Sequence, residues 1–117
     1  DFTTSGGYAQ SISLLKRPNR PTAIFAGSDL QAMGVYEAAR QLGLRIPEDL
    51  SVVGFDDVQT AAFLGPALTT VRQPLQDMAR AAVRMLIEAL STDDVIQPHI
   101  IMPTSLVVRN STQQLEG

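Results

Sequence analysis

Two short β-branched apolar runs, at residues 22–26 and 51–55, are separated by one helix-patterned segment, and that order restricts the fold more than any other feature. Strands with a helix between them run parallel, because a crossover of that length returns the chain to the same end of a sheet. Strands covered on both faces read as unbroken apolar runs, which suits both segments. Proline and glycine mark the joints. A first helix carrying Tyr8, Ile12 and Leu15 on one face ends before Pro18, with Gly6 and Gly7 ahead of it. Ser28 and Asp29 present side-chain oxygens to the free amides that open the second helix, which ends at Gly43. Beyond the second strand, a short irregular piece closes at Gly65-Pro66 and a third strand is predicted at 68–71. Pro74 then begins a helix with Leu75, Met78, Ala82, Leu86 and Leu90 on one stripe. Two β-like runs, 100–102 and 106–108, follow on either side of Pro103, and the tail from Asn110 is polar. The predicted fold class is α/β, a parallel sheet in a three-layer αβα lobe.

The 117 residues hold nine Lys and Arg against twelve Asp and Glu, a net charge of −3. Those cations are scattered, which argues against nucleic-acid binding by this segment, because phosphate contact needs them clustered. Without cysteine there is neither a disulfide framework nor a thiolate site. No apolar run approaches the roughly 20 residues that span a bilayer, and the N-terminus lacks a basic-then-apolar leader pattern. The chain opens at Asp1 rather than at a methionine, so a fragment or a processed product is expected.

Asp56 and Asp57 stand where the second strand stops, at the strand end where open α/β sheets hold their ligands. A carboxylate pair can do acid–base or metal chemistry, but no histidine or second acidic cluster adjoins it. His99, the single histidine, reads as a surface or edge residue rather than a ligand. Asp56 therefore reads as an acceptor for a hydroxyl- or amine-bearing ligand, and Asp57 as a cap for the segment that follows. Ser28 has no base beside it, so it is a hydrogen-bond donor rather than a nucleophile. A phosphate-binding glycine loop, a zincin helix and a nucleophile elbow are all missing from the sequence. No enzymatic activity, metal ligand or cofactor is expected.

The second helix has two apolar faces. Ala32, Val35, Ala39 and Leu42 form the core stripe, while Leu30 and Met33 lie on nearly the opposite side with Glu37 and Arg40. The second face is either a pair of tolerated surface hydrophobes or a subunit interface. Phe63 and Leu64, an apolar pair in an irregular segment, favour the interface.

Residues 21–29 (PTAIFAGSD) with Ala32-Met33-Gly34, and then 46–57 (IPEDLSVVGFDD), resemble the effector-binding domain of lactose-repressor-type (LacI/GalR) regulators. Residues 68–74 (LTTVRQP) and 106–112 (LVVRNST) match further blocks in the same order, so the likeness covers nearly the whole chain. The resemblance implies an incomplete periplasmic-binding-protein-like type I fold, one lobe plus a crossover helix. Residues 1–72 would be part of the C-terminal lobe, 73–99 a crossover segment whose helix belongs to the other lobe, and 100–117 the return strands and tail. The DNA-binding domain and first lobe have no counterpart here.

By motif position, Asp56 matches the acid that hydrogen-bonds effector, and Ser28 stands where many members place an asparagine. Phe2 falls at a ring-stacking aromatic, and Gln73 at the cleft edge. Leu30, Met33, Phe63 and Leu64 fall on the implied homodimer surface. The function so implied is effector sensing and dimerisation in a cytoplasmic bacterial transcriptional regulator. Its partners would be a sugar or related metabolite and operator DNA, the DNA being bound through the missing domain. The alternative is an exported solute-binding protein of a transporter.

Overall fold

The computed structural model describes residues 4–91 and 101–115. Its chain contacts divide into two units, residues 1–72 with 106–117, and residues 73–105.

In the first unit, helix α1 (Thr4–Leu15) leads to strand β1 (Ala23–Phe25), helix α2 (Asp29–Gln41), strand β2 (Ser51–Asp56), a 3-10 helix (Gln59–Phe63) and strand β3 (Thr69–Arg72). β2 pairs in parallel with β1 and with β3, so the C-terminal ends of all three strands share one edge. A short strand β4 (Ser105–Val107) flanks β3, which makes the sheet order β1-β2-β3-β4. Of the 100–102 run, Ile100 lies outside the described residues, as does His99, and Ile101 and Met102 are not in a strand. Pro103 follows directly, and a residue without an amide hydrogen cannot donate to a ladder.

The core lies between α2 and the sheet. Ala32, Val35, Ala38 and Ala39 of α2 meet Val52, Leu50 and Leu68, all buried, with Tyr8 and Ile12 of α1 packed around them. This is the stripe the periodicity predicts, and it runs on the sheet side of α2 because side chains at i, i+3 and i+7 share a face. Gly6 and Gly7 do not precede α1 but lie inside it. A Cβ on Gly7 would come within 2.8 Å of the Gln31 backbone, and one on Gly34 within 2.9 Å of Gly7. The two helices therefore touch backbone to backbone, a contact worth more here than the helix propensity that glycine sacrifices. Within this unit one helical layer covers the sheet, and Phe25 on the opposite face of β1 is 66% exposed.

The polar motif after β4 is structural. Ser111 is wholly buried between β2 and β3, where its Oγ accepts from Thr69 N at 2.8 Å and donates to Val52 O at 2.5 Å, while its carbonyl accepts from Val52 N. It completes the hydrogen bonding of Val52 and Thr69 at the start of the β2–β3 pairing, as buried backbone groups require.

The second unit holds helix α3 (Leu75–Ser91), with Pro74 just before it. None of its residues is buried, and Leu75, Val83, Leu86, Ile87 and Leu90 are all more than half exposed.

Candidate functional site

The edge formed by the C-terminal ends of β1, β2 and β3 carries the predicted acids. Asp56 is the last residue of β2, in register with Arg72 on β3, and its backbone stands at φ 116°. Asp57 follows at φ 59°. Two consecutive non-glycine residues with positive φ depart from the conformations that L-residues favour, and such departures persist only where the surroundings hold them. They turn the chain sharply off the sheet and set the half-buried Asp56 on this edge.

The surroundings grip the turn from two sides. On the β3 side, Asp57 accepts hydrogen bonds from Arg72 Nε at 2.7 Å and Arg109 Nη2 at 2.8 Å, its side chain only 10% exposed. Arg109 also donates to Leu68 O, which fixes the guanidinium in its double role. On the α2 side, Asp29 is completely buried, and its carboxylate accepts from Val58 N at 2.7 Å and from Thr70 Oγ1 at 2.6 Å. The cap expected of Asp57 is therefore not made: the first amide after the turn is met by Asp29, and Asp57 is occupied by two arginines. Nor does Asp29 cap α2. Ser28 does that alone, at 7% exposure, its Oγ accepting from Gln31 N at 3.1 Å.

Burial pulls the Asp57 carboxyl upward, but hydrogen bonds from Arg72 and Arg109 and their charge outweigh it and leave its pKa below the ordinary carboxylate value. A lowered folded-state pKa contributes stability that is complete above the unfolded value and lost as pH falls through the folded one. Asp57→Asn is therefore expected to lose about 2 kcal/mol at pH 7. Its melting temperature should converge on that of the parent as pH is lowered below 4, as calorimetry across pH would read; a gap independent of pH would mean that the charge is not what matters.

Among the predicted site residues, Asp56 and Ser28 fall at the C-terminal ends of neighbouring strands, β2 and β1. Gln73 is half-buried at the start of the second unit, its carbonyl accepting from Leu75 N. Phe2 lies outside the described residues. Of the predicted subunit face, Leu30 is 49% and Phe63 84% exposed, and Met33 is half-buried. Leu64 is half-buried and packs against the core.

Asp29, Arg72 and Arg109 were not read as neighbours of the site. One signal was present in Gly54, a glycine within an apolar strand, which marks a close approach of backbone to another group. A Cβ there would collide with Asp29 Oδ1 and lie 2.9 Å from Leu68 Cδ2. A groove of about 610 Å3, lined by Thr22, Glu48, Ser51 and Thr112 among others, opens at the N-terminal end of the strands, away from Asp56. At the C-terminal edge the described residues form an open wall. No group of three or more acids or histidines able to hold a metal occurs among them.

Residues 1–112 match the family described as periplasmic binding protein-like domain. An HTH-type transcriptional regulator in the aml 5' region of Streptomyces limosus is 49% identical over 97% of this chain and 32% of its own length. A LacI family transcriptional regulator from Enterococcus faecalis V583, solved with bound ribose, superposes with a TM-score of 0.91 at 31% identity, over 99% of this chain and 43% of that one. The lac repressor dimer bound to operator and an anti-inducer superposes at 0.88 with 32% identity, over 96% and 39%. The chain thus spans about a third of the length of the Streptomyces limosus regulator.

Proposed function

The chain belongs to the periplasmic binding protein-like domain family, and from that premise we propose that it is the effector-sensing and dimerisation part of a LacI-type transcriptional regulator whose effector is a sugar or a related metabolite. The observation that carries this reading is the position of Asp56. It is an acid at the C-terminal end of the central parallel strand, on a turn braced by Asp29 and by the Asp57–arginine cluster, in a fold that superposes on a ribose-bound regulator. A carboxylate held there can accept from two sugar hydroxyls at once, the kind of contact that orients a polar ligand in a cleft.

The remaining parts fit the same assignment. α3, amphipathic and uncovered, is the helix that crosses into the first lobe, where its stripe of Leu75, Leu86 and Leu90 becomes buried. Leu30, Met33, Phe63 and Leu64 supply a homodimer face. By motif position Ser28, Phe2 and Gln73 are assigned to the effector with Asp56; serine in place of asparagine gives a shorter reach, and its oxygen already serves α2. Operator DNA is read by a domain outside this segment, in keeping with its acidic balance. The protein acts in the cytoplasm and catalyses nothing. No helix among the described residues is long and apolar enough to cross a membrane. The transporter-associated solute-binding reading is the weaker one, because the relatives that match at high identity are transcriptional regulators.

The test is binding of the full-length protein to its own promoter region, read by fluorescence anisotropy between 50 and 200 mM salt with a panel of free pentoses, hexoses and disaccharides. Expected are a preference for that DNA over unrelated duplex by three orders of magnitude or so, a steep fall with salt, and a shift in affinity with one sugar. Equal affinity for both duplexes would overturn the regulator assignment.

A further inference from the structure

Asp29 is a fully buried acid that touches neither the solvent nor the exposed edge of the site, yet it meets three elements at once. It opens α2, its Oδ2 takes the amide of Val58 directly after the Asp56-Asp57 turn, and its Oδ1 takes the hydroxyl of Thr70 on β3. Gly54 keeps the space for it, since a Cβ there would strike Oδ1. A buried carboxylate is costly unless its oxygens are bonded, and here both are. Helix capping does not account for it, because Ser28 fills that role.

We propose that Asp29 is a positioning residue for the effector site: by holding Val58 it fixes the turn that sets Asp56, without touching the effector. This rests on the reading of Asp56 as an effector contact. The physical basis is that a site residue is effective only when its support is locked, and a turn with two positive-φ residues relaxes if one anchor is lost. The bond from Asp29 to Val58 is that anchor on the α2 side.

The charge and the hydrogen bond can be separated. Asparagine at 29 can still accept from Val58 N through Oδ1 while its amide donates to Thr70, whose hydroxyl turns to accept. Asp29→Asn thus keeps the anchor and loses the charge, whereas Asp29→Ala loses both. An acid serving only the α2 dipole would show the reverse equivalence, with Asn and Ala alike.

The experiment uses the full-length protein with two readouts: hydrogen exchange of the peptide spanning 55–60, and calorimetric titration with D-ribose. The expectation for Asp29→Asn is exchange and ribose affinity within about threefold of the parent, because local opening reports the anchor that remains. Asp29→Ala should speed exchange in that peptide at least tenfold and weaken ribose by a similar factor. Should Asp29→Ala not fold, the double variant Asp29→Leu with Thr70→Val takes its place: no side-chain oxygen at 29 then accepts from Val58 N, and the same tenfold changes are expected although the volume is nearly unaltered. Exchange at 55–60 unchanged in Asp29→Ala or in the double variant, or Asn matching Ala, would overturn the positioning role. If exchange follows the predicted pattern but ribose binds none of the proteins, Asp29 still anchors the turn, and it is ribose as effector that fails.

Discussion

Asp56→Gly is expected to weaken sugar binding about a hundredfold while leaving the domain as stable as before. Losing a charged hydrogen-bond partner in a binding site costs on the order of 2 to 3 kcal/mol, which is that factor in affinity. The stability half of the prediction comes from the backbone. At φ 116° an L-residue is strained, by about 1 to 3 kcal/mol, and glycine is not. Relief of strain offsets the greater freedom that glycine brings to the unfolded chain. Asp56→Ala should lose affinity equally; it keeps both the strain and the unfolded-state restriction of the parent, so the two variants share a binding defect and both melt close to the parent. Titration with the sugar that shifts DNA affinity, alongside calorimetric melting, reads both. A residue kept for the fold would lower the melting temperature in both variants; one kept for ligand would not. Unchanged sugar affinity would remove Asp56 from the site.

Leu68→Ala is expected to cost about 2 to 5 kcal/mol, toward the upper part of that range, without removing the site. Leu68 is wholly buried just before β3, its Cδ2 lying against the backbone of Gly54, its amide donating to Ala61 O and its carbonyl accepting from Arg109. The hole left by truncation has few neighbours able to fill it: Gly54 has no side chain, and Asp29 is held by two hydrogen bonds. Denaturant unfolding should show a lower midpoint with an unchanged slope, since the area exposed on unfolding hardly changes. Sugar affinity measured well below the melting temperature should stay within a few-fold of the parent. A loss under 1 kcal/mol would mean that this part of the core collapses onto the cavity and that packing here is loose.

The elements themselves were legible because their signals are local. Ser28 with a following apolar stripe marked the start of α2, the β-branched run marked β2, and Pro18 and Pro74 bounded their helices. Each of these signals depends on residues within four positions of one another, which is the range over which helical and strand periodicity act. Gly6 and Gly7 misled for the same reason. A glycine pair reads as a boundary from local propensity, whereas Gly7 is kept because α1 and α2 touch there, and a contact with Gln31 carries no mark in the neighbouring residues. Asp57 was misplaced on similar grounds, given a role by its immediate neighbours.

The sequence by itself therefore determined the order of strands and helices, the parallel sheet and the acid at its C-terminal edge, since strand ends follow from where an apolar run stops. Tertiary structure alone decided which acids point where. Asp29 turns inward because Thr70, 41 positions on, and Val58, 29 positions on, come within hydrogen-bonding reach of it. Asp57 is taken by Arg109, 52 positions away. A side chain of fixed local propensity chooses among directions by the partner that satisfies its charge, and these partners meet only once the sheet has brought distant strands to one edge.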